Sequence, residues 1–265
     1  MPTLKREDGQ SLYFEDGGGP GPAVVLGHGF LMDQTMFDPI SAALGDRFRI
    51  IRWDARGFGR SGWNGRPHDP WRHADDIAAL MDHLGLSRAF VGGMSQGGYS
   101  ALRFTLRHRD RVLGLILLST MAGPTPPEAI AFYRDNIRTM REQGMVEPLL
   151  EGTATALLGD RAHWEPWLTR WRAYDPHHVA GAMEALIARD DVSGRLGEVT
   201  APTFIAHGTE DHGMPIAAAE FLAAKLPADG VVRLEGGAHA AAFTHADALV
   251  EPLRAFLDQH QHGYV

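Results

Sequence analysis

A serine set between two glycines, in Gly93-Met94-Ser95-Gln96-Gly97, is the side chain of this protein best suited to act as a nucleophile. The short apolar run Ala89-Phe90-Val91-Gly92 precedes it, and Gly98-Tyr99-Ser100-Ala101-Leu102-Arg103-Phe104, with the character of a helix, follows. A strand that turns sharply into a helix lifts a serine hydroxyl above the edge of a sheet. Flanking glycines let the backbones pass closely there. A free hydroxyl is a poor nucleophile at neutral pH and needs an adjacent base. Fourteen histidines compete for that role, and no cysteine is present to offer a thiolate instead. His239 is favoured: a strand over 231–234 and the tight turn Glu235-Gly236-Gly237-Ala238 deliver it to the end of a sheet. His245, the second choice, is expected to start the last helix.

Several elements must position these groups. Strands are expected over 12–15, 23–26, 49–53, 89–92, 114–118, 203–206 and 231–234. Several are apolar without alternation, the pattern of strands buried on both faces. Between them lie amphipathic helices. Residues 71–84 carry Ile77, Leu80, Met81 and Leu84 at helical spacing, and 217–226 reads the same way. Residues 246–260 turn Leu249, Val250, Leu253, Phe256 and Leu257 inward. Alternating strands and helices imply a mostly parallel sheet flanked by helices. The alternation stops between about 121 and 199, after the break Gly123-Pro124-Thr125-Pro126-Pro127. That stretch is helical in character and rich in Met and aromatic residues. Trp164, Trp167 and Trp171 are spaced to share one helix face. The expected organisation is an α/β core over 1–120 and 200–265, with a helical cap, or lid, over 121–199.

Composition narrows the function classes. A chain of 265 residues, 44% hydrophobic and 22% charged, has the balance of a globular protein with a sizeable core. A net charge of −8 argues against a nucleic-acid partner, which calls for a basic face. The first residues lack the apolar core of a signal peptide, and no run is long enough to span a membrane, so a cytoplasmic location is expected. No H-E-x-x-H, no metal-spaced His set and no G-x-x-x-x-G-K-[ST] loop occurs.

Four segments in order carry a resemblance to the α/β-hydrolase family over nearly the whole chain. They are Gly27-His28-Gly29-Phe30 after a strand, the turn Asp54-Ala55-Arg56-Gly57-Phe58-Gly59-Arg60-Ser61, the serine elbow, and a tail with an acid after one late strand and a histidine after the next. The resemblance implies the chain order nucleophile, acid, base. It places Asp211 of His207-Gly208-Thr209-Glu210-Asp211 as the acid that orients His239, with the adjacent Glu210 in reserve. It also implies an oxyanion hole from the main-chain N–H groups of Phe30 and Gln96. Leu31, Met94 and Trp164 are candidate substrate-pocket residues. Asp54, Arg56 and Ser61 are expected to tie their loop together rather than to catalyse.

The implied activity is hydrolysis of a carboxylic ester or lactone through an acyl-enzyme on Ser95, with no metal or organic cofactor. The expected partner is a small-molecule ester or lactone, with neither nucleic acid nor membrane, and the oligomeric state is open. Similar proteins also include enol-lactonases and C–C bond hydrolases of aromatic catabolism and cofactor-free haloperoxidases. A small-molecule receptor without turnover is the alternative on the same fold.

Overall fold

Four runs of the chain can be buried only as interior strands: Ala23–Gly27, Ala89–Met94, Val112–Leu118 and Thr203–Gly208 are buried at every position in the computed structural model. The structure describes residues 2–261. In chain order the strands are β1 (Thr3–Lys5), β2 (Ser11–Asp16), β3 (Ala23–Gly27), β4 (Arg49–Trp53), β5 (Ala89–Met94), β6 (Val112–Leu118), β7 (Thr203–Gly208) and β8 (Val232–Leu234). They form one sheet in the order β1-β2-β4-β3-β5-β6-β7-β8. The first two pairings, β1 with β2 and β2 with β4, are antiparallel, and the rest are parallel. The sequence spacing predicts seven of these strands. It misses β1, which is three residues long and mostly exposed, too short for a periodicity to register.

The connections are helical: α1 (Asp38–Leu44), α2 (Pro70–His83) and α3 (Gln96–Arg107) in the first half, and α8 (Ala217–Ala223), α9 (Ala241–Thr244) and α10 (Ala246–His260) near the end. The order of strands reverses after β4, so right-handed crossovers place α1 on one face and α2 and α3 on the other. Accordingly α2 packs against α3, and α1 against α10. Between β6 and β7 lie α4 (Pro127–Gln143), α5 (Glu147–Leu158), α6 (Trp167–Ala173) and α7 (Pro176–Ile187). Among the described residues no helix is long and apolar enough to cross a membrane.

The tryptophan spacing corrects one expectation. Trp164, Trp167 and Trp171 do not share a helix. Pro166, which has no N–H to donate, stands at the N-cap of α6, so the helix starts at Trp167 and leaves Trp164 outside. Trp164 instead donates its indole N–H to Gly159 O at 3.1 Å.

Beside the parallel strands sits a pair of imidazoles, His73 buried and His68 half-buried. The rings of His68 and His73 are 4.9 Å apart, and His73 also meets Trp53 edge-on at 6.0 Å. Among the described residues the ring nitrogens of His68 and His73 Nε2 are buried without a hydrogen-bond partner. Burial, helped by the nearby Arg56 charge, lowers the His68 pKa from 6.5 to about 4. Burial and the His68 and Arg56 charges push His73 well below its ordinary value. Above pH 6.5 both residues are neutral folded or unfolded. Between 6.5 and about 4 only the unfolded chain takes up the His68 proton, so stability declines as pH falls through that window. The decline attributable to one such group approaches about 1.4 kcal/mol per pH unit. Denaturant titrations between pH 7.5 and 4 should therefore show a smaller pH slope for His68→Phe than for the wild type. Identical slopes would rule out His68 as the source.

Candidate active site

Ser95 stands between β5 and α3 with φ 50° and ψ −112°, a conformation that side-chain-bearing residues rarely adopt. Its amide donates to Leu118 O at 2.9 Å, its carbonyl accepts from Tyr99 N–H at 2.9 Å, and Thr120 Oγ1 donates to the same carbonyl at 3.0 Å. The glycines of the motif are required by contact. A Cβ on Gly93 or on Gly97 would overlap the Gly27 carbonyl oxygen, where β3 runs alongside. Strand and helix can meet this tightly only without side chains.

Asp211 and His239 come from two further strand ends. Asp211 follows β7 after Gly208, and His239 follows β8 after the turn that Gly236 makes at φ 74°. His239 Nδ1 donates to Asp211 Oδ2 at 2.5 Å. Asp211 Oδ1 accepts from the N–H groups of Gly213 (3.1 Å) and Met214 (2.8 Å). Burial opposes a charged carboxylate at this position. The His239 charge, the bonds from His207 and His239 and the Met214 N–H outweigh it, and hold Asp211 well below the usual carboxylate range. The bond to Nδ1 leaves His239 Nε2 as the basic nitrogen of the neutral ring. No hydrogen bond joins Ser95 Oγ to His239 among the described residues, a gap of the kind that closes in Michaelis complexes. Glu210 is exposed, whereas Asp211 is 5% exposed and faces His239.

A second histidine on the same acid is absent from the sequence reading. His207 Nε2 lies 2.8 Å from Met214 O and 3.3 Å from Asp211 Oδ2. Both neighbours are acceptors, so Nε2 carries a proton, and Nδ1 is buried without a hydrogen-bond partner among the described residues. The signal was present in the sequence, since His207 ends an apolar strand four residues before Asp211. His245 caps α10 and pairs with Thr244 Oγ1 at 2.8 Å.

The turn after β3 supplies the other rim of the site. Met32 N–H closes it onto Gly29 O at 3.1 Å, with Leu31 at φ 64°. His28 Nδ1 also donates to Gly29 O at 2.7 Å, while its Nε2 accepts from Ala55 N–H at 2.9 Å. The main-chain N–H groups of Phe30 and Gln96 have no acceptor among the described residues. Two buried donors left open beside Ser95 are available to a negative charge developing there. Met94 is fully buried with its Sδ against Gly29, Leu31 is 4% exposed, and Trp164 packs under the Arg161 guanidinium at 4.5 Å.

The neighbouring turn is tied down by polar bonds. Asp54 accepts from Gln34 N–H and Arg60 N–H, each at 2.8 Å, and Ser61 Oγ bridges Asp54 O (2.6 Å) and Tyr13 N–H (2.9 Å). Arg56 forks onto Asp76 at 2.6 and 2.8 Å. No group of three or more His, Asp or Glu side chains among the described residues is arranged to hold a metal ion.

Comparison with known proteins shows the fold family. A family model described as the alpha/beta hydrolase fold matches residues 22–246. A thermophilic esterase from Thermogutta terrifontis superposes with a TM-score of 0.90, 30% identity and 98% coverage of each chain. The enol-lactonase from Burkholderia xenovorans superposes with a TM-score of 0.86 and 25% identity, over 97% of this chain and all (100%) of that one. A Caulobacter vibrioides protein provisionally named as the carbamate hydrolase RutD is 29% identical, over 97% of this chain and 98% of its own.

The geometry around Asp211 predicts how Ser95 reactivity divides between the two adjacent acids. In Asp211→Asn, labelling of Ser95 by a fluorophosphonate, followed by intact mass, should slow by about 10³-fold or more. Glu210→Gln should label at close to the wild-type rate. Comparable losses in both variants would show that the exposed acid contributes.

Proposed function

The chain belongs to the α/β-hydrolase family, and from that premise we propose that it is a serine hydrolase of carboxylic esters or lactones. The observation that carries the reading is the 2.5 Å bond from His239 Nδ1 to the buried Asp211 carboxylate, at the same sheet edge as Ser95 in its strained turn. In this reading His239 Nε2 takes the proton of Ser95 Oγ as the oxygen attacks the substrate carbonyl carbon. The carbonyl electron pair moves onto oxygen, which accepts from the open N–H groups of Phe30 and Gln96. Asp211 keeps the imidazole in the tautomer with Nε2 bare and stabilises the imidazolium that forms. Collapse of the tetrahedral species breaks the C–O bond to the leaving alcohol, and His239 returns the proton to that oxygen. Water, deprotonated by His239, then attacks the acyl-enzyme and releases the acid and the free serine.

The helices between β6 and β7 serve as a cap over this edge, so the acyl and alcohol preferences reside in 121–199 and in Leu31. Esters are favoured over other acyl compounds because the related esterase aligns over the full length with the higher identity and TM-score. Lactones and carbamates present the same carbonyl to the same attack, which makes them the natural comparison set.

Release of nitrophenol from short-chain nitrophenyl esters by wild type and Ser95→Ala tests the reading. Loss of turnover by about 10⁴-fold or more in the variant is expected. Equal rates in the two proteins would overturn it, and no turnover together with no fluorophosphonate labelling would overturn it in favour of a non-turnover receptor.

A further inference from the structure

The helix α6 grips the turn that carries Phe30. Trp171 is fully buried, and its indole Nε1–H donates to Leu31 O at 2.6 Å across 140 residues of sequence. Its neighbour Arg170 approaches Asp33 at 3.7 Å. Tyr174, just past the helix, meets Phe58 edge-on at 6.1 Å, and Phe58 meets Phe30 at 5.3 Å. Three consecutive parts of one short helical segment thus rest on residues 30–33 or on the ring that backs them.

The hydrogen bonds connect in series. Leu31 O, which accepts the indole N–H, belongs to the same planar peptide unit as Met32 N–H. Met32 N–H donates to Gly29 O at 3.1 Å. Gly29 O belongs in turn to the peptide unit of Phe30 N–H, the donor left open toward the site. In a trans peptide the C=O and N–H point in opposite directions. Anchoring each oxygen therefore aims the N–H on the far side of its plane, and each donor polarises the next.

We propose that Trp171 is a positioning residue for the oxyanion hole, acting through the chain indole N–H, Leu31 C=O, Met32 N–H, Gly29 C=O, Phe30 N–H. The helical segment then does more than cover substrate: seating α6 completes the hole. The positive φ of Leu31 supports this reading. A leucine is held at 64° only where the surroundings over-determine the turn, and the indole bond to its carbonyl is part of that determination. His28 Nδ1 shares the same Gly29 oxygen at 2.7 Å, so the relay has one donor from the core and one from the helical segment. The inference rests on the hydrolase reading above.

The test replaces Trp171 by Phe, which keeps an apolar ring without the donor, and by β-(3-benzothienyl)alanine, which keeps the indole shape with sulfur in place of N–H. Both are assayed on a short-chain nitrophenyl ester and with a trifluoromethyl ketone analogue of its tetrahedral intermediate. Hydrogen exchange is followed on the peptide spanning 28–33. The expected result is a fall in kcat of about 10- to 100-fold with KM changed less than about threefold. The trifluoromethyl ketone should weaken by the same factor as kcat/KM, and exchange at 28–33 should quicken. Packing loss alone would leave the benzothienyl variant at the wild-type level, and that outcome overturns the proposal. So does a rise in KM with kcat intact. Absence of Ser95-dependent turnover in the wild type would instead bring down the hydrolase reading. A wild-type enzyme that is active and dependent on Ser95 isolates any failure to the relay.

Discussion

The site depends on how closely β5 and α3 approach β3 at the Ser95 turn. The Gly27 carbonyl occupies the space where side chains at 93 and 97 would begin, and Met94 fills the space beneath Gly29. Ser95 can hold its left-handed conformation only because this packing allows no other path for the chain. Such a conformation costs about 1–3 kcal/mol for a residue with a side chain. Leu31 at φ 64° and Ser119 at φ 44° carry the same kind of strain, and all three lie just beyond the carboxyl ends of β3, β5 and β6. The fully buried strands offset it. Their apolar surfaces contribute far more than three strained residues remove. Strain is thereby concentrated where the chain must present polar groups rather than continue a strand.

The buried acid obeys a related constraint. A carboxylate with no solvent exposure of its side chain is tolerable only if its oxygens are fully engaged. Asp211 meets this condition with two main-chain N–H groups on one oxygen and two imidazoles on the other. His207 is protonated on Nε2 because both of its neighbours accept. It therefore restrains Asp211 without competing for the His239 bond. The hydrogen bonds that satisfy the burial requirement also hold the His239 imidazole in place.

The helices between β6 and β7 are bound to the loops they overlie. Ala240 N–H donates to Leu157 O at 2.7 Å just past His239, Trp167 meets Phe243 at 5.6 Å, and Trp171 holds Leu31. Residues on both sides of Ser95 therefore take part of their geometry from a segment inserted far from them in sequence. A fold whose core is rigid and whose insertion varies can change substrate by altering the insertion. In this chain the insertion also holds main-chain groups at the sheet edge that carries Ser95.

Much of this was legible in the amino-acid order, and the reason is local. Strands buried on both faces need largely apolar runs, so β3, β5, β6 and β7 show themselves as apolar clusters bounded by turn residues. Gly93 and Gly97 mark places where the backbone alone can pass, and Gly236 marks a turn at positive φ. The order of Ser95, Asp211 and His239 after strand-like runs placed all three at one edge, because every parallel strand ends on the same side. The helix boundaries near Trp164 failed where Pro166 intervenes, a local signal that periodicity alone overrode. What only the tertiary structure decided are the contacts made across long separations. Trp171 donating to Leu31, Ala240 to Leu157 and Arg56 forking onto Asp76 have no periodic or neighbouring signature. They exist because crossovers and the inserted helices bring distant buried donors and acceptors together, where each must find a partner out of reach of water.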